Sequence, residues 1–372
     1  MSYLEVLEPL VSTVIAPEAS QTDQLGRFPR AALDALGEAG LLGLISAESV
    51  GGLGLGLAQA CLVVERIARD CPSTAMVVTM HYAGAALIEK YGPDDIRRAI
   101  ARGEHLTTLA WSETGTRSHF WAPVGTAKPD GDDFVLNGHK SMVTSAAQAD
   151  SYVWSSRPAR VPEGASTLWL VDSRAQGLQY PHAFDGLGLR GNASAPIRGE
   201  GVRVPASAML GADGAGGDIM NGDALPVFAN LVASTSIGIA DGALQRAIQH
   251  ITASHFAETN SALCDLPTIR AYLARAQIRT DQARTLRDDT LAALAAGRPD
   301  AMLRVLEVKA AAAEAALDVT DTAMRICGGA AFRKEAGIER LFRDARAASI
   351  MGPTSDVLYD FIGRALCGLP LA

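Results

Sequence analysis

Residues 130–140 read DGDDFVLNGHK, and their reading decides the kind of fold the chain has. Asp130-Gly131 and Asn137-Gly138 are tight-turn signals, and the apolar residues between them have the composition of a strand. A hairpin is expected here, with strands on both sides of tight turns. Further out, DSYVWSS (150–156), STLWLVD (166–172) and GVRV (201–204) are also β-rich and are separated by Gly, Pro and Asp signals. No crossover helix interrupts these runs. An antiparallel barrel or sandwich is therefore expected over residues 108–211.

On both flanks the pattern turns helical. In residues 1–107, Pro29 opens a helix that ends near Gly40, with Ala32, Leu33 and Leu36 on one face. Residues 58–70 place Ala60, Val63, Val64, Ile67 and Ala68 at helical spacing, and Ser73 is expected to cap a helix that runs to Gly92. Between them GGLGLG (51–56) superficially resembles a dinucleotide loop, but it lacks the strand–loop–helix unit followed by an acidic residue that such a loop needs. It reads as an inter-helix turn. From about residue 220 the chain is alanine-rich, and helices are expected at 229–256, 266–296, 300–327, 338–350 and 354–366. GADGAGGD (211–218) reads as a linker. The expected architecture is α+β: an N-terminal helical domain (1–107), a middle antiparallel β domain (108–211) and a C-terminal four-helix bundle (219–372).

Composition narrows the function. With 48% hydrophobic and 20% charged residues the chain is globular, and a net charge of −8 argues against a nucleic-acid or anionic-membrane partner. No apolar run reaches the roughly 20 residues needed to cross a bilayer. The opening MSYLEVLEPL has no basic region, so no export signal is expected. The cysteines (61, 71, 264, 327, 367) are odd in number and scattered, which excludes a disulfide scaffold and suits a cytoplasmic enzyme. No metal-ligand spacing is present.

Five motifs in order carry a resemblance. They are LAWSETGTRSH (109–119), LNGHKSMVTSA (136–146), DGLGLRGNASAPI with VRVPASAMLG (185–211), ICGGAAF (326–332) and IERLFRDARAASIMGPTSD (338–356). Together they resemble the acyl-CoA dehydrogenase family of flavoproteins over nearly the whole chain. The resemblance implies FAD, with its ring near Trp111, Ser112, Met142, Val143 and Thr144. It implies Gly328 and Gly329, with Arg325 where a Gln is usual, at the FAD of a neighbouring subunit of a homodimer or homotetramer. Thr354 and Asp356 would meet FAD at the start of the last helix, and Ser118 and Met351 would face the substrate. Each has an ordinary alternative: surface strand residues for Ser112 and Thr144, a helix end for Gly328 and Gly329, a helix cap for Thr354 and Asp356. Arg343, Asp344 and Arg346 read as an internal ion-pair cluster, and His81 as a core histidine.

The departures from the family pattern carry as much information. Members commonly remove the α-proton of the thioester with a carboxylate before the Gly of the last motif, and Met351 is aligned there, which cannot accept a proton. VFANLVASTSIG (227–238) holds neither the alternative carboxylate nor the arginine used near the CoA end, and ASHFAE (253–258) replaces an Arg-x-x-Phe-Gly pattern. Asp356 and His119 are the remaining weak candidates for a base, so the catalytic residue is left unassigned. The resemblance then implies an oxidoreductase acting on a small acyl thioester, on CoA or on an acyl carrier protein, with a biosynthetic role. Two alternatives stay open: a flavin-dependent monooxygenase of the same fold, which needs no such base, and a non-catalytic subunit of a hetero-oligomer.

Overall fold

The structure, a computed structural model, describes residues 2–116, 119–161 and 166–370. The chain opens with α1 (Tyr3–Leu10), which passes through a wide turn at Val11–Ile15 into α2 (Ala16–Gln24). Pro17 follows that turn and has no N–H to give back to it. Then come α3 (Arg30–Glu38), α4 (Leu57–Ala68), α5 (Pro72–Tyr91) and α6 (Asp94–Ala101). The expected start of α5 is corrected. Pro72 is its first residue, where a missing N–H costs nothing, so Ser73 already lies inside the first turn. The Ser73 hydroxyl instead accepts the N–H of Gly191 at 3.2 Å. GGLGLG is an inter-helix segment that leads into α4, as its context implied.

Among the described residues, the middle of the chain holds two four-stranded sheets. One contains β2 (Thr126–Asp130), β3 (Asp133–Val143), β6 (Leu178–Gln179) and β7 (Ala195–Pro205), in the order β2-β3-β7-β6. The other contains β1 (Thr107–Ala110), β4 (Ser151–Ser156), β5 (Thr167–Asp172) and β8 (Met209–Leu210), in the order β1-β4-β5-β8. The Asp-Gly hairpin joins β2 to β3. Asn137-Gly138, however, is not a turn. It is a bulge inside β3, where the register against β7 shifts between Leu136 and Gly138. A side chain at Gly138 would press on Trp154, and the Asn137 side chain accepts the N–H of Gly201. Among these named strands pairing is antiparallel except between β1 and β4, which run parallel because β2 and β3 of the other sheet intervene between them in the chain.

The rest is helical: α7 (Gly216–Ile219), α8 (Leu225–Ala253), a small ribbon of β9 (His255–Phe256) and β10 (Ser261–Ala262), then α9 (Pro267–Ala296), α10 (Ala301–Cys327), α11 (Ile338–Ile350) and α12 (Ser355–Leu366). The stretch 211–218 is docked rather than a free linker. Gly216 N–H donates to Ser166 O at 2.6 Å, and Asp213 accepts from the amides of Ala159, Arg160 and Val161 and from the Thr167 hydroxyl. Every residue of α8 from Ala229 to Leu244 is buried, which makes it the central helix of the bundle. Gly238 and Gly242 let α4 approach α8, since a Cβ on either would meet the carbonyl of Glu65 or Arg69 within 2.4 Å. The segment 216–253 is apolar and long enough to cross a membrane, but 94% of its most apolar window is buried within the protein.

Candidate active site

A cavity of about 680 Å³ lies between the middle sheets and helices α5, α8 and α11. That volume lies within the range of small-molecule sites. Its β-side wall is polar: Ser112, Ser141, Thr144, Asn192 and Ser194, with Met142 exposed beside them. Its helical wall is apolar over most of its extent: Met80, Phe228, Ala347, Ile350, Met351 and Gly352, with Arg343 and Arg346 at one end.

The polar wall is positioned by groups behind it. Glu113 and Lys140 form an ion pair at 2.7 Å with both side chains fully buried. Lys140 Nζ also donates to Ser155 O (2.7 Å) and Ser155 Oγ (2.9 Å), while Glu113 accepts from the amides of Val124 and Gly125. Burial pulls the Lys140 pKa down to about 8, and the Glu113 charge opposes that shift. With Ser141 N–H donating to Ser112 O at 2.8 Å, the pair clamps the Ser112 loop to β3. Thr144 Oγ1 and Ser194 Oγ lie 3.0 Å apart. Ser145, Ala147, Leu189 and Ala193 all adopt positive φ, a conformation costly for residues with a Cβ, and they flank the lining residues Thr144, Asn192 and Ser194. Ser145 N–H to Asn192 O and Ala146 N–H to Ala193 O tie the two strained segments together.

The helical wall has its own supports. Asp344 on α11 is buried and accepts the N–H of Leu189 at 2.6 Å, and burial raises its pKa to about 7. Lys309 on α10 is buried with no carboxylate partner among the described residues, and it donates to the carbonyls of Ala348, Met351 and Pro353. Arg343 is paired with Asp23 and Glu339 and donates to Leu187 O.

The structure brings Ser112, Met142, Thr144, Met351 and Thr354 to one cavity. Thr354 also caps α12, accepting the N–H of Val357. The other expected site residues, among those described, lie outside this lining. Val143 points into the core because strand side chains alternate, and Trp111 lies behind Phe120, stacked on it at 5.7 Å. His119 stacks on Trp121 and does not line the cavity. Asp356 faces solvent from the first turn of α12. Arg325 is exposed over Tyr272, and Gly328 and Gly329 are exposed at the end of α10, away from this chain's cavity. Ser118 lies outside the described residues. Arg343, Asp344 and Arg346 are not one cluster: the first is ion-paired, the second a buried carboxyl, the third exposed on the cavity rim. His81 is a core histidine, with Nε2 3.0 Å from Leu42 O and Nδ1 accepting the Thr107 N–H.

Sequence reading missed Lys140, Lys309, Asn192 and Ser194. For both lysines a signal existed. Lys140 shares a strand with inward-facing Phe134 and Leu136, and Lys309 falls at helical spacing with buried Val305, Ala312 and Ala316.

Comparison with known proteins places this geometry among relatives. Three family models match in chain order: the N-terminal domain of acyl-CoA dehydrogenase over residues 3–103, its middle domain over 108–202 and its C-terminal domain over 216–367. The chain is 31% identical to the mitochondrial short-chain specific acyl-CoA dehydrogenase of Bos taurus, over 92% of this chain and 83% of that one. It is 30% identical to the cyclohex-1-ene-1-carbonyl-CoA dehydrogenase of Syntrophus aciditrophicus, over 98% and 88%. Its fold matches that of the butyryl-CoA dehydrogenase of Megasphaera elsdenii with a TM-score of 0.92 at 24% identity, covering 98% of this chain and 97% of that one.

Proposed function

The chain belongs to the acyl-CoA dehydrogenase family, and from that premise we propose that it is an FAD-dependent oxidoreductase acting on a small acyl thioester, carried by coenzyme A or by an acyl carrier protein. The observation that carries the proposal is the meeting of Ser112, Thr144 and Met351 in one cavity, although they are far apart in the chain. The donor set fits a flavin. Hydroxyls and an amide on one wall suit the polar edge of a flat ring, and the apolar wall suits a ring face and an acyl chain. When bound, FAD supplies the acceptor for two electrons, which no side chain offers. Ser112, Thr144 and Ser194 would hold and orient the ring, their polar groups favouring the negative charge that reduction brings. Met80 and Phe228, half-buried in the apolar wall, would shield the acyl group from water.

The proton is the distinguishing point. Among the described lining residues the one carboxylate is Glu113, and it is committed to Lys140. Met351 and its neighbour Gly352 offer no proton acceptor at the helical wall. This favours a substrate with a more acidic proton than an ordinary α-carbon, such as a hydroxyl or a hydrated aldehyde. The same observation favours a second reading, a flavin-dependent monooxygenase. A non-catalytic subunit is the third.

The finer parts of the proposal are the domain limits (1–107, 108–211 and 219–372), a cytoplasmic and biosynthetic setting, and assembly into a homodimer or homotetramer. Exposed Ile278, Phe332, Tyr359 and Leu366 on the helical region support assembly.

Titrating the purified protein with FAD, then offering small acyl groups as CoA and as carrier-protein thioesters without oxygen, tests the reading. Saturable FAD binding at micromolar protein and bleaching by one thioester class are expected. No FAD binding removes the oxidoreductase. Bleaching only by a nicotinamide reductant, with rapid reoxidation by oxygen, turns the assignment to the monooxygenase.

A further inference from the structure

The last turn of α11 and the residues leading into α12 form the part of the helical wall that presents Ile350, Met351, Gly352 and Thr354 to the cavity. A helix end leaves carbonyls without partners, and here they point inward rather than to water. Lys309 answers them from α10. Its side chain is buried, and Nζ lies 2.9 Å from Ala348 O, 3.1 Å from Met351 O and 2.8 Å from Pro353 O. An ammonium has three N–H donors and no acceptor, so three carbonyls use it completely. A neutral amine would turn a lone pair toward one of those oxygens. A cation is also favoured at a helix C-terminus.

We propose that Lys309 is the positioning residue of the helical wall, holding Met351 and Gly352 at the cavity by binding the carbonyls around them. Burial lowers the Lys309 pKa to about 7, and the three carbonyl contacts are those that its ammonium form satisfies. The cage spans 348–353 and reaches no other part of the cavity. Losing it is expected to loosen one wall and leave the polar wall in place. The consequence for FAD rests on the function proposed above; the consequence for the backbone does not.

The test uses Lys309→Leu and Lys309→Gln in the full chain. Val319→Ala is the control, a core truncation on the same helix among Ala240, Leu244 and Ala276. Hydrogen exchange is read on the protein without FAD. In Lys309→Leu, amides of Met351, Gly352, Thr354 and Ser355 are expected to exchange about tenfold faster or more, on the scale of hydrogen bonds to a charged group. Amides of 338–346 should keep their protection. Lys309→Gln, with two donors, should fall between, and it serves alone if the leucine variant does not fold. With FAD, the visible circular dichroism of the bound flavin should change in the Lys309 variants and stay unchanged in Val319→Ala.

Exchange that rises equally along all of α11, or as much in Val319→Ala, overturns the positioning role. So does a flavin signature unchanged in a folded Lys309 variant. If no variant or wild-type protein binds FAD, the function fails, while the exchange pattern still decides Lys309.

Discussion

The two walls of the cavity rest on two buried lysines that are satisfied in opposite ways. Behind the polar wall, Lys140 is matched by the charge of Glu113; behind the apolar wall, Lys309 is matched, among the described residues, by carbonyl dipoles alone. Burial lowers both pKa values, to about 8 and about 7. An ion pair links two segments distant in sequence, here the Ser112 loop and β3, and leaves their backbones free to pair. A carbonyl cage instead grips the backbone of one short segment. The polar wall is thus fixed as part of a sheet, and the apolar wall as a single bend between helices.

The largest effect that can break this comparison lies behind the polar wall. Glu113→Ala leaves Lys140 buried without its carboxylate and is expected to destabilise the protein by about 3–5 kcal/mol in denaturant unfolding. Adding Lys140→Met should recover part of that loss, because no uncompensated charge remains. Equal instability of the single and double variants would mean that the pair's hydrogen bonds, rather than its charges, hold the loop.

Next in size is a change of character at the apolar wall. Met351→Glu, and separately Gly352→Glu, would put a carboxylate where the described wall has none. A positioned base contributes about 10²–10⁴ in rate, so anaerobic bleaching by short acyl-CoA should rise at least a hundredfold in one of them. A variant that stays folded and flavin-loaded without any gain argues that this wall does not face the α-carbon. Bleaching by the unaltered protein at a rate that neither variant improves would show that its chemistry needs no added base.

A smaller effect is expected on the polar wall itself. Thr144→Val keeps the shape and removes one hydroxyl, so FAD affinity in a titration should weaken by roughly fivefold, the scale of one neutral hydrogen bond. An unchanged affinity would take Thr144 out of the flavin site.

The finest test is a slope with pH. Asp344 has its pKa raised from 3.8 to about 7, first by burial, so the folded protein keeps a proton that the unfolded chain releases. Its contribution to stability is therefore full at low pH and is lost as pH rises from about 4 to about 7. His81, pulled down to about 4 by burial, acts with the opposite sign, so the comparison must be with Asp344→Asn rather than with a flat line. The variant should lose less stability than the wild type between pH 5 and pH 7.5 in urea unfolding. A parallel pair of curves would place a charged carboxylate at 344.

Much of the architecture was legible in one dimension because it rests on local patterns. The bundle helices begin and end within a few residues of where periodicity and Gly or Pro signals put them, since burial of one stripe repeats every three or four residues. Where tertiary contact competed with a local signal, the local reading lost. Asn137-Gly138 is a bulge with Trp154 against Gly138, and the Ser73 hydroxyl accepts the Gly191 N–H instead of capping a helix.

The same division runs through the site. The resemblance of the chain's motifs to a known family pointed to Ser112, Thr144 and Met351, and the folded chain brings the three to one cavity. That Val143 and Trp111 turn away, that Asp356 faces solvent, and that one lysine ends on a carboxylate and the other on three carbonyls depended on which segments meet in space. A side chain's partners can lie 27 or 44 residues away, as Glu113 does from Lys140 and Pro353 from Lys309. Periodicity carries which face of an element is buried; only the folded chain decides what that face is buried against.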